Sequence, residues 1–190
     1  MHKLSIVAAL VLLSACGEAP TSQSTGDGLP QISDIPASAK TTERPIALGE
    51  TGKGKGLDFT ITKVTTTNQI GPAGSGPKAE PTETFVVVHY TIKNTSGAAL
   101  SAMDRPAISL VDAKGQRYVT DDMAGIMVGV LMDDASGMSA DLNPGVSAKT
   151  GTAWKVAKDG FDKATWRIVV ETDPALTFAL EAGDANGKAK

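Results

Sequence analysis

Residues 84–93 read Thr84-Phe-Val-Val-Val-His-Tyr-Thr-Ile-Lys93, and this stretch decides the fold class. It is rich in β-branched and aromatic residues, which favour β-strands. Apolar side chains occupy both odd and even positions, so both faces of the strand are expected to be buried. The sequence therefore predicts a central strand, closed by a turn at Asn94-Thr-Ser-Gly97.

Shorter strands are predicted on both sides of this one. Upstream, Leu57, Phe59 and Ile61 alternate with polar residues at strand period. An antiparallel sheet with one apolar face needs a second sheet to cover it, and no long amphipathic helix is evident. We therefore expect an all-β fold, an antiparallel β-sandwich over residues 51–182. Its downstream strands are predicted at residues 107–111, 116–120, 146–156, 164–171 and 176–180.

Two segments are not assigned to strands. Residues 71–81 are broken by Gly and Pro, which predicts a mobile surface loop. Residues 123–132 are apolar with two internal glycines, and their pattern fits a short helix, a strand or a packed loop equally well.

The N-terminus has the pattern of a secretory signal peptide. Lys3 precedes an apolar run, residues 4–13, that is too short to span a bilayer. The run ends Leu13-Ser14-Ala15-Cys16-Gly17, which resembles the lipobox of bacterial lipoproteins position for position. The resemblance implies a signal peptide over residues 1–15, cleavage before Cys16 and diacylation of its thiol, so that the lipid attaches the protein to a membrane.

The residues around the predicted domain are polar. Residues 16–50 are rich in Thr, Ser, Gly and Pro and predict a lipidated flexible tether, and residues 183–190 predict a polar tail. Residue 17 is Gly, whereas Asp at that position resembles the inner-membrane retention signal of Gram-negative lipoproteins. We therefore expect the outer membrane, with the domain facing the periplasm.

The order of motifs from residue 50 to residue 181 resembles one known family. The carrying motifs are Phe85 to Ser96, Asp112-Ala-Lys-Gly-Gln-Arg-Tyr118, Leu142-Asn-Pro-Gly145 and Gly151-Thr-Ala-Trp-Lys-Val156. They resemble bacterial lipoprotein domains with an immunoglobulin-like sandwich of the immunoprotective-extracellular-antigen type, a domain of unknown function. The resemblance implies an immunoglobulin-like sandwich and carries no catalytic residues. The chain departs from the family pattern at Trp154, where the family shows Phe, and in a longer Met-containing insertion at 123–138.

Composition and motifs argue against several function classes. The chain of 190 residues has 18 basic and 21 acidic side chains without a basic block, which disfavours nucleic-acid binding. After signal cleavage His89 is the remaining histidine, and no Gly-x-Ser-x-Gly motif accompanies it. Asp121-Asp122 and Asp133-Asp134 lack the spacing of a Ca²⁺-binding loop and are interpreted as caps and solvated turns. We expect no enzymatic activity and no cofactor.

Four methionines stand apart from the generic features of a β-sandwich: Met123, Met127, Met132 and Met138. Thioethers bind Cu(I), yet methionine also fills gaps in cores that are short of aromatics. The leading expectation is a lipid-anchored, non-enzymatic binding or scaffolding module with an envelope protein partner, using edge strands or end loops as contact surfaces. The alternative is a periplasmic small-molecule or copper carrier that uses the Met123–Met138 segment.

Overall fold

The computed structural model describes residues 44–132 and 140–182. The predicted signal peptide, Cys16, most of the predicted tether and the polar tail lie outside these residues. So do Asp133, Asp134 and Met138.

The described part of the chain is built from eight β-strands and one short α-helix, with two 3-10 turns at Ala102–Asp104 and Lys158–Gly160. In chain order the elements are β1 (Thr51–Gly54), β2 (Leu57–Thr67), β3 (Glu83–Asn94), β4 (Ile108–Val111), β5 (Arg117–Tyr118), α1 (Asp122–Val130), β6 (Ser147–Ala157), β7 (Arg167–Val170) and β8 (Leu176–Ala179).

The strands form two four-stranded sheets, ordered β1-β2-β3-β6 and β5-β4-β7-β8. All neighbouring strands within the sheets are antiparallel. The chain passes from the first sheet to the second after β3, returns for β6 and crosses again to β7, so that the two sheets interleave as in immunoglobulin-like sandwiches. The predicted all-β sandwich is confirmed.

Strand β3 lies between β2 and β6 and is buried on both faces, as its sequence predicts. Val86 and Val88 face the other sheet and join the main core. Phe85 and Val87 point the opposite way and join a second apolar cluster on the outer side of the first sheet. One strand thus supplies both cores of the molecule.

The main core fills the space between the two sheets. Phe59 of β2 stacks on Tyr90 at 4.7 Å between ring centroids and contacts Phe178 of the opposite sheet at 5.7 Å. Trp154 of β6 is fully buried in the same cluster. Because the chain has one cysteine, no disulfide joins the sheets, and packing of these side chains holds them together.

The second cluster is covered by α1 and by the loop between β2 and β3, which contributes buried Ile70 and Ala79. The side-chain amide of Gln69 donates to the carbonyls of Pro72 and Ser75 at 2.8 and 2.9 Å and holds the loop closed. The sequence predicts a mobile surface loop over residues 71–81; residues 72–76 are exposed as predicted, while buried Ala79, together with Ile70 just before the loop, fastens it to the sheet.

The N-terminal boundary of the domain lies earlier than the sequence predicts. Ile46 makes a parallel bridge to Phe178 of β8, with its N–H donating to the Thr177 carbonyl and its carbonyl accepting from the Ala179 N–H, both at 2.8 Å. Ala47 is buried beside it. The predicted tether boundary at residue 50 is therefore corrected: residues 46–50 belong to the sandwich, because one apolar residue with two backbone hydrogen bonds suffices to extend the sheet.

The segment that the sequence left open is helical over Asp122–Val130, and Leu131 is its C-cap. None of the helices among residues 44–132 and 140–182 has the length and apolarity needed to cross a bilayer.

Candidate functional site

An open groove of about 430 Å³ lies between the first turns of α1 and the free edge of β6. Thr150, Gly151 and Thr152 of β6 form one wall, and Asp121, Asp122, Gly125 and Ile126 form the other. Tyr90 and Arg105 line one further part of the groove. We call this depression the β6–α1 groove; it combines hydroxyl, carboxylate, guanidinium and apolar groups within a small area.

Asp121 fixes the start of α1 against β6. Its backbone N–H donates to the Ala153 carbonyl at 2.9 Å, and its carboxylate accepts from the Ala124 N–H at 2.9 Å as an N-cap. The same carboxylate forms an ion pair with Lys155 at 3.7 Å. Asp121 therefore acts as a structural cap.

Gly151 allows α1 to approach the sheet closely. A Cβ atom added at this position would lie 2.6 Å from Cγ1 of Val128 and 3.0 Å from the Val88 carbonyl oxygen. Ala124 and Val128, one helical turn apart, are buried against the sheet on this side. A side chain at residue 151 would push the helix away and change the groove.

The opposite side of α1 is also apolar but has no cover among the described residues. Met123 is 64% exposed, Ile126 53%, Val130 61% and Leu131 51%. The spacings of three and four residues place Met123, Ile126 and Val130 on one face of the helix, which we call the exposed face of α1, and Leu131 follows at its C-cap. A helix with apolar residues all round is ordinarily buried, so this surface is unusual for a water-exposed element.

The described methionines of the insertion do not share one orientation. Met123 lies on the exposed face, while the sulfur of Met127 faces Gly71, 3.8 Å from a Cβ built there. The sulfur of Met132 lies over Gly151, 3.5 Å from a Cβ built there. Met127 packs against the second apolar cluster, which is the gap-filling use of methionine.

His89 and Tyr90 occupy adjacent positions on opposite faces of β3. Burial, assisted by the Lys63 cation, lowers the pKa of His89, so the imidazole is held neutral at neutral pH. Burial raises the pKa of Tyr90, and the nearby Arg105 guanidinium opposes that shift. Within the described ranges, no group of three or more His, Cys, Asp or Glu side chains is placed to hold a metal ion.

Sequence reasoning identified the 123–132 segment as unusual but missed the β6–α1 groove. The groove depends on β6 being an edge strand and on α1 crossing beside it, and neither follows from periodicity within a single segment. The signal available in the sequence was the pair of small residues Gly125 and Gly151, which leave room for close approach of backbone.

The copper-carrier alternative gives a direct prediction. The variant Met123→Leu with Met127→Leu keeps side-chain volume and should change the free energy of unfolding by less than about 1.5 kcal/mol. We expect the wild type to show no Cu(I)-dependent rise in melting temperature, measured by circular dichroism under reducing conditions. A rise in the wild type that disappears in the double variant would favour metal carriage.

Comparison with known proteins finds one relative in sequence and several solved structures with a similar fold. No family model matches the chain. The chain is 33% identical over 133 residues to the uncharacterized protein YxkC of Bacillus subtilis, covering 70% of this chain and 74% of that protein. A conserved hypothetical protein of Bacillus anthracis matches in structure with a TM-score of 0.56 and 21% identity, over 70% of this chain and 94% of that one. An uncharacterized β-sandwich protein of Clostridium difficile matches with a TM-score of 0.52 and 13% identity, over 77% and 99% of the two chains. The two structures support the sandwich fold.

Proposed function

This chain belongs to the family of the uncharacterized Bacillus subtilis protein YxkC, and we propose that it is a lipid-anchored cell-envelope protein that binds or scaffolds another envelope protein without catalysis. The lipid is carried by Cys16, and the tether that follows gives the domain reach from the membrane surface. The proposed membrane is the outer membrane, with the sandwich facing the periplasm, because Gly17 replaces the aspartate of an inner-membrane retention signal.

The observation that carries the binding proposal is the exposed face of α1. Ile126, Val130 and their neighbours present contiguous apolar side chains to solvent, although the opposite side of the same helix is buried. Burial of such side chains in a partner is favourable by about 25 cal/mol per Å² of apolar surface, which drives association. Large contiguous apolar patches are rare on the surfaces of monomeric proteins, and those that occur commonly mark interaction sites.

The experiment is capture of partners from detergent-solubilised envelope by the immobilised protein, with quantitative mass spectrometry. Ile126→Gln with Val130→Gln should reduce the captured partner at least about tenfold, the loss expected from about 1.4 kcal/mol of binding free energy. Met103→Gln with Val146→Gln is the matched control, since these exposed side chains lie on other elements and should leave capture unchanged.

Cys16→Ser separates anchoring from binding in the same experiment. This variant should no longer fractionate with membranes or incorporate labelled palmitate, yet should capture the same partner as the wild type. Equal capture by the α1 variant and the wild type would refute the binding surface. Membrane fractionation of Cys16→Ser, together with no palmitate in the wild type, would refute the anchor.

A further inference from the structure

The two sides of β6 differ in how their backbone groups are used. At both ends of the β3–β6 ladder, even-numbered residues are paired: Asn94 N–H donates to the Val146 carbonyl and Lys158 N–H to the Thr82 carbonyl, each at 3.0 Å. The register is continuous between them. In an antiparallel pair, the N–H and C=O of one residue point to the same side and alternate along the strand. Odd-numbered residues of β6 therefore direct their backbone groups away from β3.

Ala153 confirms this direction, because its carbonyl accepts from the N–H of Asp121 rather than from β3. Lys149 and Gly151 have the same parity and point their N–H and C=O groups the same way. Among residues 44–132 and 140–182, no hydrogen bond satisfies these outward groups of Lys149 or Gly151. This part of β6 is thus an unpaired sheet edge, the element to which extended peptides add in β-augmentation.

The unpaired edge opens directly into the β6–α1 groove. Thr150, Gly151 and Thr152 line the groove, so a chain placed in it would run beside the free N–H and C=O groups. The hydrogen bond from Asp121 to Ala153 already forms the first rung of such an added strand. Beyond Asp121 the chain turns into α1; on this edge Lys149 is exposed, whereas Gly151 is buried and is reached only from the groove that it lines.

The walls of the groove determine the chemistry of the added segment. Asp122 is exposed and forms no ion pair with any described residue, whereas the Asp121 carboxylate is engaged by Ala124 and Lys155. Ile126, half-exposed, follows one helical turn after Asp122 on the same side. The groove therefore offers one available carboxylate next to an aliphatic surface, with Arg105 beside Tyr90 in a further part.

We propose that the β6–α1 groove binds an extended polypeptide segment that adds as a strand to Lys149–Gly151 and places a lysine or arginine at Asp122 and an aliphatic side chain on Ile126. This inference rests on the proposed binding function and names the chemistry of the partner. Main-chain hydrogen bonds to the edge supply affinity, and the cation with its apolar neighbour supplies specificity.

The test is an NMR titration of the mature chain, residues 16–190, with the acetylated peptide Thr-Val-Thr-Lys-Val-Thr-Val-Thr. We expect a dissociation constant below about 1 mM and increased hydrogen-exchange protection of the Lys149 and Gly151 amides. A peptide with Glu in place of Lys should bind at least about tenfold more weakly. A peptide N-methylated at alternate residues should lose measurable binding, because it cannot complete the ladder.

Two pairs of variants locate the site on the protein. Lys149→Pro removes the outward N–H while leaving the β3 ladder intact, and Lys149→Ala removes the side chain alone. Lys149→Pro should weaken peptide binding at least about tenfold, while Lys149→Ala should bind like the wild type. Asp122→Asn should remove the preference for Lys over Glu, and Asp58→Asn on β2 should retain it. Unchanged spectra away from the edge verify that each variant is folded.

The outcomes separate this inference from the proposed function. If no peptide binds, or if binding ignores Lys149→Pro and Asp122→Asn, the groove is not a strand-addition site, and Lys149 serves to protect an edge from aggregation. That result leaves capture through the exposed face of α1 untouched. If the α1 variant captures partners normally, the proposed function fails whatever the peptides do.

Discussion

Trp154→Ala should lower the free energy of unfolding by about 3–5 kcal/mol, the range for removal of a fully buried large aromatic side chain. Trp154 is the largest of the fully buried residues and lies in the main core between the sheets. Its removal leaves a cavity that β6 cannot close, since the strand is fixed to β3 by eleven residue pairs. Urea unfolding followed by far-ultraviolet circular dichroism measures the change without relying on tryptophan fluorescence.

Trp154→Phe is the matched control and should cost less than the Ala variant, because the phenyl ring fills most of the space that the indole occupies. The indole Nε1–H of Trp154 is buried without a hydrogen-bond partner in the described structure, and replacing it with Phe removes that unsatisfied donor. Equal losses for the Ala and Phe variants would show that cavity formation is not the cause.

Asn94→Ala should lower the free energy of unfolding by about 2–3 kcal/mol, since the substitution removes the buried side-chain amide that joins a network of hydrogen bonds. The side-chain amide of Asn94 donates to the carbonyls of Ala98 and Leu142, both at 2.7 Å. Its carbonyl oxygen accepts from the backbone N–H and the hydroxyl of Ser96 at 2.9 and 2.7 Å. One fully buried side chain therefore joins the end of β3 to two separate loops.

Ser96→Ala is the graded control for this network and should cost under about 1 kcal/mol, because it removes a more exposed hydroxyl and leaves the amide bonds in place. Thermal unfolding of the three proteins side by side gives the order wild type, Ser96→Ala, Asn94→Ala. If Asn94→Ala were no less stable than Ser96→Ala, the buried amide would contribute nothing beyond the turn itself.

The sequence predicts those strands whose own pattern of apolar residues is sufficient to identify them. Residues 84–93 predict a central strand buried on both faces, and β3 has that position. Leu57, Phe59 and Ile61 predict the alternation that β2 shows, with all three buried. In both strands the spacing of apolar residues predicts which side chains are buried, so the strand can be identified without knowing its partner strand.

Segments whose structure depends on a neighbour could not be predicted. The β1 residues Thr51-Gly-Lys-Gly54 contain no large apolar side chain, and pairing with β2 alone makes them a strand. Helix α1 is apolar on all sides and contains Gly125 and Gly129, so its sequence lacks the one-sided pattern that identifies surface helices. The β6–α1 groove could not be predicted either, since it requires both the position of α1 and the position of β6 at the edge of its sheet.

The backbone bridge between Ile46 and Phe178 has a mechanical consequence if the domain is tethered, as we propose. The chain enters along β1 and β8, whereas the β6–α1 groove lies at the opposite edge of the first sheet, roughly 14 Å away across three strand spacings. Tension between an anchor upstream of residue 44 and a partner held at β6 would load the strands in series. The two hydrogen bonds of Ile46 would open first, then the four residue pairs between β1 and β2, before the ladder between β2 and β3. Releasing residues 46–54 would free a segment whose fully extended length is about 30 Å while β2, β3 and β6 stay folded, so in the lipid-anchored arrangement that we propose this segment would yield under load before the central sheet does.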